Sequence, residues 1–267
     1  MSLRTRLLRA ETSTALVTAP AANPSVTQTD LSRLPHVVQR YFGFMRVVGR
    51  PRDWSFRARF QGRFRLRPGQ RWMPMDAWQY NAAAPMARIF MMRIAWGGIV
   101  PMVGSDTYLR GQGRMQGKLL NVVTVADGHG REFDVGELAT WLNDAILVAP
   151  SMLLGPATTW ADVDDSSFAV TVTDAGLTVA AQVTVDERGA PSDFRTTDRY
   201  AALPGGPVRA PWTTPVAGWS LSGERPLPTG GSAVWHLPEG PFVYAEGRFV
   251  PESIEYNVAP GGSGRKR

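Results

Sequence analysis

The residues with the clearest potential for chemistry lie on one predicted helix, which runs from Asp134 to Ala149. Glu137, Trp141 and Asp144 follow one another at helical spacing and would share a face. A carboxylate held over an aromatic concavity loses hydration, which raises its pKa as a general acid or base requires. The alternative is a solvated helix face or an ion pair with one of many arginines, since structural ion pairs perturb carboxylates too. Asp144 is therefore the first candidate catalytic residue.

Charged side chains also occur amid predicted strands that are rich in apolar residues. Arg93, Asp106, Arg114 and Arg199 are examples. Because successive strand residues point to opposite faces, most of these charges are expected to face water. An inward-facing Asp106 beside an arginine or a tyrosine would instead form a positioned acid. Asp106 and Arg199 complete the candidate catalytic set with Asp144.

Aromatic and flexible apolar side chains are abundant, with nine Trp and ten Met. Trp buries a large area and keeps one polar group, and Met adapts to irregular shapes, so both suit the wall of a binding pocket. A wide core would explain the same residues, and it is the default for any one of them. The candidate ligand-binding residues are Trp72, Trp78, Met91, Arg93, Met115, Trp141, Trp212, Trp235 and Tyr244.

Familiar catalytic and cofactor motifs are not present in usable form. The segment 218–223 lacks the G-x-S-x-G spacing of a nucleophile elbow, and 111–117 lacks both the spacing and the helix of a phosphate-binding loop. His129 lies near several carboxylates, but the chain has three His and no H-x-x-x-H pair, so we predict no metal site. The absence of Cys excludes thiolate catalysis and iron–sulfur clusters. We predict no cofactor.

The net charge of +6 and the pI near 10.1 are compatible with an anionic partner. Nucleic-acid-binding proteins concentrate Lys and Arg on one face of a recognisable module, whereas here Arg residues are spread along strands, so we predict no nucleic-acid partner. A peripheral contact with an anionic membrane stays open, as does the oligomeric state. No segment is long and apolar enough to span a bilayer, and residues 11–18 are too polar for a signal-peptide core, so we expect a cytoplasmic location.

Period-two alternation indicates the strands that must position these residues. It is longest between Trp54 and Leu66, which predicts a strand with one buried and one solvated face. Further strands are predicted over Trp72–Tyr80, Met86–Trp96, Thr107–Met115, Lys118–Ala126, Phe168–Thr173, Leu177–Val185, Phe194–Tyr200, Trp212–Ser222, Ser232–Leu237 and Phe242–Tyr256. Asp127–Gly130 is predicted to be a turn.

Two helices are predicted beside these strands, one before the first strand and one that interrupts the strand pattern. Asp30 and Pro35 begin a short helix that ends at Gly43, and Asp134 with Glu137 form a variant capping box for the second helix. The predicted fold is mostly β: a curved antiparallel sheet or half-barrel, with a short N-terminal helix and one or two helices packed over its concave face.

The predicted domain organisation is simple. Residues 1–29 are small and polar and contain two prolines, which predicts a mobile arm. Residues 30–258 carry the strands and helices and are expected to form a single β-rich domain. Residues 259–267 are rich in Gly and charge, which predicts a disordered tail.

The order of several short motifs resembles the bacterial DUF6544 family. The motifs are Leu34-Pro35, Arg40-Tyr41-Phe42, Phe60-Gln61-Gly62, Gly104-x-Asp106-x-Tyr108, Gly136-Glu137-Leu138, Trp235-x-Leu237-Pro238 and Phe242-x-Tyr244. The resemblance covers about residues 31–257 and implies an architecture similar to the lipoprotein carriers LolA and LolB, in which helices plug a curved antiparallel sheet that holds acyl chains or other apolar ligands. Members of the family often carry Glu where this chain has Asp144, which shortens the reach of the carboxylate here.

Two functions follow as hypotheses. The first is binding of a hydrophobic small molecule or lipid in the concave face of the half-barrel. The alternative is a cofactor-free enzyme, such as an isomerase, cyclase or hydrolase, that acts on an apolar natural product with a carboxylate as acid or base. A structural or partner-binding role would be favoured if the protein's own side chains filled the concavity.

Overall fold

Strands dominate the computed structural model, which describes residues 1–14, 16, 19–20, 22–96, 100–119, 123–203 and 206–262. The α-helices are α1 (Leu3–Ser13), α2 (Gln28–Leu31), α3 (His36–Phe44) and α4 (Arg131–Val148), and short 3-10 helices span Pro150–Leu153 and Pro251–Ser253. The strands are β1 (Ser55–Phe64), β2 (Met73–Ala83), β3 (Met86–Trp96), β4 (Val100–Leu109), β5 (Gln112–Leu119), β6 (Val123–His129), β7 (Thr158–Asp164), β8 (Ser167–Asp174), β9 (Leu177–Val185), β10 (Pro191–Thr196), β11 (Tyr200–Leu203), β12 (Gly206–Arg209), β13 (Trp212–Thr213), β14 (Val216–Ser222), β15 (Arg225–Leu237), β16 (Gly240–Phe249) and β17 (Glu255–Tyr256).

One antiparallel sheet contains fifteen strands of the described residues. The strands from β6 back to β1 lie side by side as consecutive neighbours, and β1 then pairs with β16, which continues through β15, β13 and β10 to β7. The remaining strands β14 and β17 pair with β15 and β1, and β11 pairs with β12 in a separate ribbon. A sheet of this many twisted strands must curve, which leaves a concave face for helices to cover. The predicted fold class, a curved and mostly antiparallel β architecture with few helices, is confirmed.

The strand boundaries differ from the predicted ones around residue 110. Thr107–Met115 is predicted to be one strand, but β4 ends at Leu109 and β5 begins at Gln112. Arg110 and Gly111 form the turn between them, with φ of 55° and 77°. Residues 110–114 carry no apolar side chain, so the apolar periodicity does not mark where one strand ends and the next begins. The predicted turn at Asp127–Gly130 is also wrong over its first three residues, which belong to β6 and pair with β5.

Helix α4 is buried on nearly all sides. Its first turn lies so close to β5 that a Cβ atom at Gly113 would overlap the carbonyl oxygen of Phe133, which explains why a glycine stands there. The predicted capping box is wrong: Gly130 is the N-cap, with φ of 103°, and the Asp134 carboxylate accepts a hydrogen bond from the Gly113 backbone N–H at 2.7 Å. Because the Glu137 side chain does not cap the helix, it can face the concave side of the sheet.

Helix α3 packs beside α4 and closes one end of the core. The Tyr41 hydroxyl donates to the Ile146 carbonyl at 2.8 Å, which ties the two helices together. Tyr41 and Phe42 also join Trp160 and Phe168 in an aromatic cluster whose ring centroids are 5.0–6.4 Å apart. The aromatic contacts join α3 to β7 and β8, and the hydrogen bond joins α3 to the end of α4.

The N-terminal segment differs most from its prediction, because residues 3–13 form helix α1 rather than a mobile arm. Leu3 and Leu7 are buried, and Leu7 packs against the convex side of β2 and β3. Arg57 lies on the face of β1 predicted to be solvated, yet it is fully buried and paired with Glu11 through bonds of 2.5 and 2.9 Å. Alternation predicts that Arg57 leaves the core; it cannot predict that a distant helix covers that side.

Part of the predicted C-terminal tail is likewise ordered. The carbonyl groups of Ala259 and Gly262 accept hydrogen bonds from Arg57 at 3.3 and 3.0 Å, so this stretch packs beside α1. Residues 263–267 of the predicted tail, and residues 15, 17, 18 and 21 of the predicted arm, lie outside the described residues.

Candidate ligand-binding site

A cavity of about 600 Å³ lies between α4 and the concave face of the sheet. Its wall is largely apolar and is contributed by β1–β5, β13, β15, β16 and α4. The main apolar lining residues are Phe60, Phe64, Met75, Phe90, Met92, Met115, Trp212, Trp235, Phe242 and Phe249. This volume falls within the range of roughly 300–1,000 Å³ that is typical of small-molecule sites.

Strand register brings several cavity residues into one row across the sheet. Gln79 is opposite Phe90, Phe90 is opposite Asp106, and Asp106 is opposite Met115. Residues that are directly opposite in antiparallel strands point to the same face, so all four side chains face the cavity. The row places polar groups on both sides of an aromatic ring.

Arg88 organises the charged part of the cavity wall. Its Nε donates to Asp144 Oδ2 at 2.8 Å, and a terminal nitrogen donates to Glu137 Oε2 at 3.0 Å. Asn81 adds a bond to Asp144 at 3.2 Å. All three charged side chains are nearly buried, with 6% of Arg88 exposed to solvent. A single guanidinium therefore bridges two carboxylates of α4 to strand β3, a geometry that Arg provides and Lys does not.

Two carboxyl groups in this cluster have raised pKa values. Burial raises the pKa of Glu137 to about 7, and the neighbouring Asp106 and Asp144 add to the effect, while Arg88 and Arg199 oppose it. Burial likewise raises the pKa of Asp106, against the attraction of the same two arginines. Glu137 thus changes protonation near neutral pH, which is the property that a general acid or base requires.

Arg199 lies at the aromatic side of the cavity. Its guanidinium stands over the rings of Trp212 and Trp235, 4.4 and 5.3 Å from their centroids. It also lies 3.4 Å from the Tyr244 hydroxyl and 3.8 Å from Glu137 Oε1. The two indole faces stabilise a charge that is mostly removed from water, so Arg199 links the aromatic wall to the carboxylates of α4.

Comparison with known proteins identifies the family. Residues 24–247 match a family described as "Family of unknown function (DUF6544)". The chain belongs to the DUF6544 family. The resemblance of its ordered sequence motifs is therefore confirmed.

Solved structures similar to this DUF6544 protein have very different sequences. A DUF1329 family protein from Desulfovibrio piger is 8% identical, with 77% of this chain and 87% of that chain covered and a TM-score of 0.43. A LolA superfamily protein from Nitrosomonas europaea is 13% identical, with 82% and 91% covered and a TM-score of 0.36. No curated protein matches the sequence.

The structure brings part of the sequence-predicted site together. In the DUF6544 protein, all three candidate catalytic residues, Asp106, Asp144 and Arg199, line the cavity. Four candidate ligand-binding residues line it as well: Met115, Trp212, Trp235 and Tyr244. These residues come from β4, β5, α4 and the C-terminal strands, so the predicted set samples both halves of the sheet.

Five candidate ligand-binding residues are not in the cavity wall, and the structure corrects them. Trp78 and Met91 are opposite each other on the convex face, where they pack near α1. Arg93, of the same parity as Met91, is exposed. Trp72 does not line the cavity and lies under the guanidinium groups of Arg63 and Arg65, of which only Arg65 is a lining residue. Trp141 is fully buried in the core and donates to the Ala82 carbonyl at 2.9 Å.

Sequence reasoning missed Arg88 and Gln79 and left Glu137 out of the candidate site. Arg88 shares its parity with Phe90 and Met92, whereas the predicted Met91 and Arg93 have the opposite parity. This alternation within β3 is the sequence signal that could have pointed to Arg88. It separates the strand into two faces, but it does not say which face is concave.

The described residues contain no cluster of three or more His, Asp and Glu side chains that is suited to hold a metal ion. His129 instead lies in β6 opposite Arg114. In the part of the chain that the structure describes, none of the helices has the length and hydropathy needed to cross a membrane.

Proposed function

We propose that this protein binds a hydrophobic small molecule or lipid in the cavity between α4 and the concave face of the sheet. The observation that carries the proposal is the cavity itself, about 600 Å³ of space with a largely apolar wall that includes many aromatic side chains and three methionines. Apolar surface of this kind gains free energy when it is covered by an apolar ligand, at about 25 cal/mol per Å² buried. The methionines allow the wall to adapt to more than one shape.

The unfilled volume also weighs against a purely structural interior. Protein cores are close-packed and contain few voids larger than a water molecule. The protein's own side chains therefore do not fill the concavity, which leaves room for an occupant. The charged cluster on α4 lies in the same wall and gives the otherwise apolar cavity a polar side.

A blocking substitution tests the proposal. Ala233 lines the cavity, and Ala233→Trp would place an indole inside it. Ala161 is exposed on β7, so Ala161→Trp is the matched control. We expect the neutral apolar probe N-phenyl-1-naphthylamine to bind the wild type and the control alike, and the blocked variant at least about tenfold more weakly.

The outcome is decisive if thermal unfolding shows that both variants are folded. Equal probe binding by the wild type and Ala233→Trp would place the binding site elsewhere, and no binding to any of the proteins would remove the proposal. Mass spectrometry of molecules that co-purify with the protein from its native host would then name the natural ligand class.

One observation favours the cofactor-free enzyme as a second candidate. Glu137, with a pKa of about 7, faces an apolar cavity beside Asp106, so a proton donor and acceptor are available to a bound molecule. The test is to incubate the co-purified compound with wild type and with Glu137→Gln. Conversion of the compound by the wild type alone would support catalysis, and the same unchanged compound in both samples would oppose it.

A further inference from the structure

Gln79 is a buried polar side chain that lacks a partner. It is 1% exposed and lies in the cavity wall, yet its Nε2 makes no hydrogen bond to any described residue. A buried amide without a partner is destabilising, because water solvated it in the unfolded chain. A polar group that retains this cost inside a cavity is well placed to meet a ligand.

Asp106 is the second polar group of the same row that forms no ion pair with the described residues. It stands two strands from Gln79, with Phe90 between them, and all three face the cavity. None of the ion pairs formed by the described residues includes Asp106, whereas Arg88 pairs with Glu137 and Asp144. The row therefore presents an amide and a carboxyl group beside an aromatic ring, with their hydrogen-bonding capacity unspent.

The charges nearby decide what kind of polar group fits. The guanidinium groups of Arg88 and Arg199 are matched by the carboxylates of Glu137 and Asp144. An anionic ligand would add a negative charge beside three carboxyl groups, and a cationic ligand would add a positive charge beside two arginines. Burial of an uncompensated charge is costly, whereas a neutral group needs only hydrogen bonds.

We propose that the ligand carries a neutral oxygen group while its apolar body fills the rest of the cavity: either a hydroxyl, which accepts from Gln79 Nε2 and donates to Asp106, or a carbonyl, which accepts from Gln79 Nε2. The inference rests on the proposed function, because it assumes that a ligand occupies this cavity. It predicts selection by the polar end of the ligand in addition to selection by apolar size. The carboxamide of Gln79 can donate and accept, so it serves either oxygen group by rotation.

Ligands of equal chain length test this selection. The series consists of dodecane, dodecanol, methyl dodecanoate, dodecanoate and dodecylammonium, each used below its aggregation concentration and measured by displacement of N-phenyl-1-naphthylamine. Gln79→Leu removes the amide and keeps the volume, and Gln79→Met is a second apolar variant. Met92→Leu changes a neighbouring apolar wall residue and is the control.

We expect Gln79→Leu to weaken binding of dodecanol, methyl dodecanoate or both by about tenfold, while dodecane binding changes by less than about twofold. Met92→Leu should shift all members of the series by a similar factor. In the wild type, both ionised ligands should bind more weakly than dodecanol. If Gln79→Leu loses affinity for dodecanol but not for methyl dodecanoate, the oxygen group of the natural ligand is a hydroxyl. If it loses affinity for methyl dodecanoate but not for dodecanol, the group is a carbonyl.

Three results would overturn the inference. The first is unchanged dodecanol and ester binding in both folded Gln79 variants, and the second is an equal loss for dodecane. The third is tighter binding of an ionised ligand by the wild type. In each case dodecane binding would leave the proposed function standing, whereas failure of the whole series to bind would remove both.

Discussion

Replacement of Arg88 with Met tests the charged cluster most directly. Arg88 is 6% exposed, and its two carboxylate partners on α4, Glu137 and Asp144, are 5% and 11% exposed. Met retains much of the length and volume of the side chain but removes the charge and both hydrogen bonds. Asp144 would keep one bond from Asn81 at 3.2 Å, and Glu137 would keep Arg199 at 3.8 Å.

The magnitude follows from the loss of a buried partner. Removing one side of a buried ion pair costs about 3–5 kcal/mol, since the remaining charge is neither solvated nor paired. We expect Arg88→Met to lower the free energy of unfolding by about 3–5 kcal/mol at pH 8. At pH 5 the loss should be about 1–3 kcal/mol smaller than at pH 8, because Glu137 is then protonated in the folded state and carries no unpaired charge. The pKa of Glu137 is already about 7 in the wild type, well above pH 5.

Urea denaturation followed by Trp fluorescence, at pH 8 and pH 5, measures both quantities. Arg93→Met is the matched control, because Arg93 lies on the same strand with its side chain exposed, and it should change stability by less than about 0.5 kcal/mol. A loss below about 1 kcal/mol for Arg88→Met at pH 8 would refute the reasoning, as would a loss that is larger at pH 5 than at pH 8.

Three further substitutions have defined outcomes. The pKa of Glu137 is about 7 in the folded state and 4.5 ordinarily, so ionisation of Glu137 destabilises the fold as pH rises through this window. Glu137→Gln should therefore flatten the pH dependence of the free energy of unfolding in urea between pH 5 and 8, and an unchanged slope would exclude Glu137 as the source of that dependence. Leu7→Ala should cost about 2–4 kcal/mol and expose α1 and its neighbours to hydrogen exchange, whereas a mobile segment would show neither effect. Gly113→Ala should lower the free energy of unfolding by about 1–3 kcal/mol or more, and with it the thermal midpoint, because the added methyl group overlaps the Phe133 carbonyl. An unaltered midpoint would show that α4 shifts freely.

The sequence determined the local elements because their signals are local. Alternation places β1 within a residue or two of its predicted ends, and it gives both ends of β3 at Met86 and Trp96. Apolar spacing places α4 correctly to within three residues at its start. The ordered motifs, compared as a set, identify the family. All of these depend on patterns that repeat or follow one another along the chain.

The tertiary structure decided which face of each strand encloses the cavity. Trp78 and Met91 satisfy every sequence criterion for a ligand wall, yet sheet curvature turns them outwards beneath α1. Arg88 meets Asp144 across 56 residues of sequence, and only the register of the strands and the docking of α4 bring the two together. Period-two alternation assigns residues to two faces with equal weight. The choice between those faces depends on the direction in which fifteen paired strands curve and on which helices cover them, and neither is contained in a local pattern.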